Sequence, residues 1–254
     1  FKMRDGETWV EHYQRLLNTS PSEFNDDEEY LVDYQLVDPA DFGIPQRRYR
    51  VIINAFRRDL GYEPIQLAPT HSRKALLKTQ WITEEYWDRH GIEPVDYLTP
   101  SDKKLLADLI KSPDGPWDAL SPWRTVRDAI GGLPAPVPRG QPEVVPNHTQ
   151  HPGARVYKGH IGSHWDYPSK TLKAGMNGTP GGENTLRVTS NGNEVRYYTI
   201  REAGRLHTFP DEWHFVGTWG ACIKQLGNAV PVKLAQAYAS RIRERIEPVH
   251  AVTQ

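Results

Sequence analysis

The spacing of apolar residues predicts an amphipathic helix near each end of the chain. The first helix is predicted from five residues on one helical face: Trp9, Val10, Tyr13, Leu16 and Leu17. The second follows Pro231 and is predicted from four residues at strict i, i+4 spacing: Leu234, Tyr238, Ile242 and Ile246. An apolar stripe of this kind needs a surface to pack against.

Three short segments have the composition of β-strands. Leu31–Val37 is rich in β-forming residues and carries alternating apolar side chains on one face: Val32, Tyr34 and Leu36. Arg50–Phe56 is a short apolar run of the kind found in strands buried on both faces. Lys170–Ala174 is the third predicted strand, whereas the acidic run Asp26–Glu29 is predicted to be a loop.

Helix-capping signals predict three further helices. Thr99 at an N-cap with Pro100 behind it opens a helix that runs to Ile110. The pairs Thr125/Asp128 and Thr199/Glu202 have capping-box spacing. The helix that begins at Thr199 must end near Phe209-Pro210, because proline interrupts a helix. Residues 61–162 are otherwise rich in Pro, Gly, Trp and His and are predicted to be irregular. The chain is therefore expected to be a mixed α/β protein without an internal repeat.

The charge of the chain is unevenly distributed. The 254 residues carry a formal net charge of −1, but residues 1–45 hold 11 acidic and 3 basic residues. Residues 46–254 then hold 28 basic and 21 acidic residues. This basic remainder suits contact with phosphates, although solvated surface charge is the commoner meaning of such an excess.

Composition limits the compartment and the available cysteine chemistry. There is no run of 18 apolar residues and no signal-like apolar core, and the first residue is Phe1 rather than Met, so we expect a cytoplasmic chain that starts within a longer protein. Cys222 is the single cysteine, which excludes an internal disulfide. A lone cysteine is more often a small buried apolar residue than a nucleophile.

Three segments in series resemble conserved motifs of the DNA (cytosine-5)-methyltransferases. The segment Phe42-Gly43-Ile44-Pro45-Gln46-Arg47-Arg48-Tyr49-Arg50 resembles motif VIII, Tyr198 to Trp213 resembles motif IX, and Gln225-Leu226-Gly227-Asn228-Ala229-Val230-Pro231 resembles motif X. Their order and spacing around a variable stretch also match. The family's Gly-rich loop, Pro-Cys nucleophile motif and Glu-Asn-Val motif would precede motif VIII, and none of them occurs in this sequence.

The resemblance implies the architecture and the partners. We expect the C-terminal part of a Rossmann-like, S-adenosylmethionine-dependent methyltransferase domain with a smaller, irregular α+β recognition domain. The implied division is residues 1–61 in the catalytic domain, 62–185 as the target-recognition domain and 186–254 returning to the catalytic domain. The expected partners are double-stranded DNA and a complementary N-terminal half that carries the nucleophile, without which the chain is expected to be inactive.

The resemblance also implies site residues. Gln46, Arg48 and Arg50 match the catalytic positions of motif VIII, whose arginines approach the flipped cytosine and stabilise developing negative charge. Motif X closes the S-adenosylmethionine pocket in the family, which points to Asn228, Ala229 and Val230; an asparagine before an apolar helix can also be an N-cap. Six residues are candidates for DNA contacts, with ordinary turns as the alternative: Arg155, Lys158, His160, Lys173, Asn177 and Asn184.

Two other interpretations remain open. A zinc site could use four clustered histidines, His148, His151, His160 and His164, but they lack cysteine or carboxylate partners, so no metal site is predicted. The chain could also be a non-catalytic DNA-binding subunit or an inactive relic of a methyltransferase. A Pro-Cys motif upstream in the same reading frame or in an adjacent gene would distinguish these possibilities.

Overall fold

The computed structural model describes residues 3–18, 30–157, 161–174, 182–188 and 194–250. Its contacts divide the chain into two compact units, one formed by Phe1–Tyr34 and Ile53–Ile65 and the other by Gln35–Ile52 and Gln66–Gln254. These units do not coincide with the expected division at residues 61 and 185. That division separates catalytic from recognition parts by their roles and stays a prediction. No helix in the described ranges is both long and apolar enough to cross a membrane.

The smaller unit contains helix α1 (Trp9–Asn18) and parts of strands β1 (Tyr30–Val37) and β2 (Arg50–Arg57). Helix α1 begins after Thr8, whose hydroxyl oxygen accepts from the backbone N–H of Glu11. The side chain of Asn54 exchanges two hydrogen bonds with the backbone of Ile65, at 3.0 and 2.9 Å. Both the first helix and the first strand are therefore confirmed.

Strand β2 is not buried on both faces, contrary to the expectation from its apolar run. Val51 is 56% exposed and Ile53 is 68% exposed. On β1 the apolar face carried by Val32, Tyr34 and Leu36 is also more than 60% exposed. The reason is that β1 and β2 pair with each other as a sheet of two strands, and the described residues place no layer over these side chains.

In the larger unit, three helices pack together, and the first two of them contribute to an aromatic cluster. They are α2 (Arg73–Trp81), α3 (Glu85–His90) and α4 (Pro100–Lys111), the last opened by the expected Thr99 cap and capping box with Asp102. Short strands β3 (His71–Ser72) and β4 (Ser121–Pro122) pair in parallel nearby. Five buried residues form the cluster: Ala40, Leu76, Tyr86, Trp87 and Trp123.

The main apolar core lies among the remaining elements. Helices α5 (Val126–Ile130) and α6 (Ile200–Leu206) start at the predicted capping boxes, and β5 (Thr185–Arg187) pairs antiparallel with β6 (Val195–Tyr197). Helix α7 (Trp219–Asn228) closes the core with its buried Ile223 and Leu226. Cys222 lies in this core at 1% exposure, as expected for a small apolar residue.

The final helix, α8 (Val232–His250), carries the predicted apolar stripe. Leu234 and Tyr238 are buried, and Ile242 and Ile246 are half-buried. The Tyr238 hydroxyl donates to Gln35 Oε1 at 2.8 Å. The stripe is therefore covered most completely at its N-terminal end.

The predicted strand at Lys170–Ala174 is wrong. This segment makes no strand ladder, because its backbone groups are bonded to side chains and to single residues of distant segments. Ser169 forms an isolated parallel bridge with Gln46, and the carbonyl and N–H of Lys173 are bonded to the side-chain amide of Asn184. The segment thus links several elements instead of extending one sheet.

Gly227 allows α7 to lie directly against this segment. A Cβ atom at position 227 would stand 2.3 Å from the backbone nitrogen of Ala174. We therefore expect Gly227→Ala to lower the free energy of unfolding by about 1–3 kcal/mol, the usual cost of overpacking a close contact. Urea unfolding measures the change.

Gly132→Ala is the matched control, since a Cβ there meets nothing within 4 Å. Equal stability of the two variants would contradict the close approach of α7 to residues 173 and 174.

Candidate functional site

The segment that resembles motif VIII is organised by a buried carboxylate. Asp38 is 4% exposed and caps a 3-10 turn, Pro39–Phe42, by accepting from the backbone N–H of Ala40. It also accepts from the backbone N–H of Arg48 at 3.1 Å and forms an ion pair with Arg47. One carboxylate therefore fixes both the start of the turn and the arginines that follow it.

Arg48 points into the protein and not to its surface. The residue is 3% exposed, and its Nη1 donates to the carbonyl of Leu172 at 2.8 Å. Its Nη2 donates to the carbonyl of Gly227, in the segment that resembles motif X. Burial, followed by the nearby charge of Arg50, lowers the pKa of Arg48 to about 10. Arg48 thus joins motif VIII to the segment around Leu172 and to motif X, through one backbone carbonyl in each.

Gln46 and His207 connect motif VIII to motif IX. Both side chains are fully buried, and Gln46 Nε2 donates to His207 Nδ1 at 3.4 Å. The carbonyl of His207 accepts from the backbone N–H of Val232 at 3.0 Å, at the start of α8. Burial, followed by the charge of Arg48, lowers the pKa of His207 to about 4. His207 is therefore a neutral member of this junction near pH 7.

Arg50 differs from its two neighbours in the predicted catalytic set. It opens β2 and is only partly buried, and its Nη1 donates to the carbonyl of Tyr49 at 2.6 Å. Gln46 and Arg48 are turned inward. The structure therefore brings the three residues together but leaves Arg50 alone with a partly exposed side chain.

The segment 169–174 completes the junction, and sequence reasoning missed this role. The Ser169 N–H donates to the Pro45 carbonyl at 2.9 Å, and the Arg47 N–H donates to the Ser169 carbonyl at 2.8 Å. The Thr171 hydroxyl donates to the Arg47 carbonyl at 2.8 Å. These bonds cross more than 120 positions of the chain, so no local pattern signals them.

The motif X residues lie at the end of α7 and just beyond it. Asn228 is the last residue of α7 and is exposed, so it is not the N-cap of α8 that the alternative interpretation required. Its side-chain amide has no hydrogen-bond partner within the described residues. Val230 is 47% exposed. The turn Asn228–Val230 therefore presents one amide and one apolar side chain away from the core.

Comparison with known proteins shows the family of the chain. The sequence profile of the C-5 cytosine-specific DNA methylases matches residues 9–244. The chain belongs to this family. A type II methyltransferase of Methanothermobacter thermautotrophicus is 26% identical over 264 residues, which cover 95% of this chain and 63% of that protein. One from Staphylococcus aureus is 30% identical over 212 residues, covering 82% of this chain and 42% of that protein.

The chain spans about two fifths to two thirds of the length of these curated relatives. Among solved structures, it is similar to the crystal structure of the S. pombe Dnmt2 methyltransferase, with a TM-score of 0.46 and 15% sequence identity. That likeness covers 94% of this chain and 64% of the other.

The candidate DNA-contact residues of this family member have different surroundings. Arg155 is exposed, while Lys158, His160 and Asn177 lie outside the described residues. Lys173 is about half exposed and pairs with Glu183 at 2.6 Å. Asn184 is 1% exposed and both ends of its amide are bonded to the Lys173 backbone, so its side chain supports the loop from inside.

The clustered histidines have separate partners. His148 is hydrogen bonded to Thr199 Oγ1 and the Pro134 carbonyl, His151 stacks on Trp219 with ring centroids 4.1 Å apart, and His164 stacks on Tyr97. His160 lies outside the described residues. In the part of the chain that the structure describes, no three His, Cys, Asp or Glu side chains are placed to share a metal ion.

The depressed pKa of His207 makes stability depend on pH. Below pH 6.5 this histidine is protonated in the unfolded chain, whereas in the folded chain it stays neutral down to about pH 4. The free energy of unfolding therefore decreases as the pH falls from 6.5 to about 4. We expect the loss of unfolding free energy between pH 7 and pH 4.5 to be smaller in His207→Gln than in the wild type, by on the order of 2 kcal/mol. Urea unfolding at both pH values measures it.

His164 makes a similar contribution to the pH dependence of stability, because burial also lowers its pKa to about 4. The effect of His207 is therefore taken as the difference between the variant and the wild type. His214→Gln, at an exposed position, is the matched control and should keep the wild-type slope. The burial of His207 would be disproved by an unchanged slope in His207→Gln.

Proposed function

We propose that this chain is the C-terminal part of a DNA (cytosine-5)-methyltransferase and that it completes the active site and recognises the DNA. One observation carries the proposal: buried Arg48 links motifs VIII and X, while Arg50, two residues away, keeps a partly exposed guanidinium. A junction of this kind holds one charged group in a fixed place. Fixed charges stabilise developing charge without reorganisation during the reaction.

In this proposal Arg50 faces the target cytosine and Arg48 is a positioning residue. Addition of a nucleophile to carbon 6 of cytosine places negative charge on the base, and a guanidinium beside its carbonyl oxygen O2 stabilises that charge. Arg48 has both terminal nitrogens engaged by backbone carbonyls, which leaves Arg50 as the better candidate for this contact. Gln46 is hydrogen bonded to His207 inside the protein and so helps to hold the segment that carries the arginines.

The turn after α7 fits a role beside S-adenosylmethionine. The exposed amide of Asn228 offers one donor and one acceptor group, and the exposed Val230 offers apolar contact, which suits a cofactor with both polar and apolar parts. When bound, this cofactor supplies the methyl group. The chain's own contribution is to hold the turn in place through the Arg48–Gly227 bond.

A complementary N-terminal part is the proposed partner, and it would supply the nucleophilic cysteine. Cys222 is buried in the core and its pKa is raised by that burial, which is the opposite of what a nucleophilic thiol needs. The exposed apolar residues of β1 and β2 suit a further layer of protein, since large apolar patches are seldom left in contact with water. They are Val32, Tyr34, Leu36, Val51 and Ile53.

Reconstitution tests the proposal directly. This chain is mixed with a separately produced N-terminal part of a family member that carries the Gly-rich loop and the Pro-Cys motif, and labelled methyl transfer from S-adenosylmethionine to duplex DNA is measured. We expect transfer only when both parts are present. Absence of transfer with both parts folded would contradict the proposal and favour a non-catalytic DNA-binding chain or an inactive relic.

Arg50 provides a sharper prediction within the reconstituted pair. Arg50→Ala should lower turnover by about 100-fold, the usual effect of removing one charge-stabilising donor, with a much smaller loss of duplex binding. Single-turnover methyl transfer and duplex binding are measured on the same preparation. Arg57→Ala, which removes a half-exposed arginine of the same strand, is the matched control. Equal losses of turnover and binding in Arg50→Ala would mean that Arg50 only contacts phosphate.

A further inference from the structure

A cavity in the larger unit lies beside the junction of the three motifs. It has a volume of about 200 Å³ and is half enclosed. Its walls come from the start of α4, from residues 162–170 and from Arg187 at the end of β5. None of the predicted catalytic or cofactor residues lines it. The cavity therefore needs an explanation of its own.

Aromatic rings form much of the wall. Tyr97 and His164 stack with centroids 4.5 Å apart and an interplanar angle of 25°. The Tyr167 ring lies 5.7 Å from Tyr97. The Tyr97 hydroxyl donates to Gln80 Oε1 at 2.6 Å, which fixes this ring against the helix α2. Rigid aromatic rings of this kind offer stacking surfaces to planar ligands.

Three cationic side chains also line the cavity, Arg47, Lys170 and Arg187, and of these Arg47 is paired with Asp38. Burial lowers the pKa of both Lys170 and Arg187, and the charge of Arg187 lowers that of Lys170 further. Asp102 is the one carboxylate in the lining, and it is already paired with Arg73 and bonded to the Thr99 backbone N–H. The lining therefore carries more cationic than anionic side chains, which favours an anionic ligand.

Ser169 supplies a polar group without a function in the fold. Its backbone is bonded on both sides to motif VIII, but its buried hydroxyl has no hydrogen-bond partner in the described residues. The residue is 0% exposed and lines the cavity. A buried hydroxyl that is left unpaired costs stability, so its presence points to a bound group that pairs with it.

We propose that this cavity binds one nucleotide of the DNA substrate, with the base against the Tyr97, His164 and Tyr167 rings and the phosphate beside Lys170 and Arg187. The Ser169 hydroxyl pairs with a polar atom at the edge of the base. A phosphate alone would leave the aromatic wall unused, and an apolar ligand would leave the cations unused. That the nucleotide belongs to DNA rests on the proposed function. That the ligand is a nucleotide is argued from the cavity lining alone.

The first test measures binding of small probes to the whole chain. Each of the four deoxynucleoside 5′-monophosphates, and inorganic phosphate, is titrated while the nuclear magnetic resonance signals of the chain are followed. We expect at least one nucleotide to bind at least fivefold more tightly than inorganic phosphate. Equal affinity for phosphate and all nucleotides would overturn the proposal in favour of a simple anion site.

The second test uses Ser169→Val, which removes the unpaired hydroxyl and places methyl groups in the cavity. We expect an unchanged or raised melting temperature together with at least a fivefold loss of nucleotide affinity. Ser112→Val, at an exposed serine, is the matched control and should bind as the wild type does. A lowered melting temperature with unchanged nucleotide affinity would mean that Ser169 serves the fold, and the proposal would fall.

Lys170→Gln repeats the test without filling the cavity, and Lys103→Gln, at an exposed lysine, is its control. Loss of nucleotide affinity in Lys170→Gln supports the phosphate position, and no loss overturns it.

Duplex DNA then identifies the source of the nucleotide. In the reconstituted pair, Ser169→Val should weaken duplex binding at least fivefold relative to Ser112→Val. Nucleotide binding without any effect on duplex binding would overturn DNA as the source and identify a free nucleotide. If the wild-type pair transfers no methyl group, the proposed function fails while the titration of nucleotides still decides the cavity. If transfer proceeds but no nucleotide binds, the cavity proposal alone fails.

Discussion

The buried guanidinium of Arg48 is the constraint on which the rest of the larger unit depends. A buried arginine is costly unless its N–H groups find acceptors. Here Nη1 and Nη2 donate to the carbonyls of Leu172 and Gly227, while Nε has no partner within the described residues. Each carbonyl belongs to a different segment, and the segments are far apart in sequence. Removing any one of the three would leave a charge or a carbonyl unpaired inside the protein. Motif VIII, the segment 169–174 and α7 are therefore held as one piece.

This constraint also explains how neighbouring arginines acquire different roles. Arg47 is held by Asp38 and lies over the Trp123 ring, Arg48 is directed inward by two carbonyls, and Arg50 remains partly exposed at the start of β2. Side chains two residues apart on an extended chain point to the same side. Arg48 and Arg50 nevertheless differ in burial, since Arg48 is buried and Arg50 is partly exposed. The arginine-rich segment of this chain is thus divided between holding the fold and facing outward.

Local signals in the sequence predicted local structure well. The caps at Thr99, Thr125 and Thr199 are confirmed because each depends on residues within one helical turn. The three motif segments also come together, through the bonds from Gln46 to His207 and from Arg48 to Gly227. The junction itself was not predictable from spacing, because Gln46 meets His207 across 161 positions and Arg48 meets Gly227 across 179.

The wrong predictions have physical causes of the same kind. The apolar run in β2 was expected to be buried, but burial depends on a covering layer that the strand's own residues do not encode. Lys170–Ala174 has the composition of a strand, yet its backbone groups are hydrogen bonded to the side chains of Asn184 and Arg48. No local sequence pattern predicts these bonds.

Hydrogen exchange in Arg48→Met tests this account most directly. The amides of Arg47, Ser169 and Val232 report on motif VIII, the linking segment and the start of α8, and each donates to a distant carbonyl. If Arg48 holds these segments as one unit, all three amides should lose protection together and by a similar factor in the variant. Loss of protection at Arg47 alone, with Ser169 and Val232 unchanged, would contradict the account.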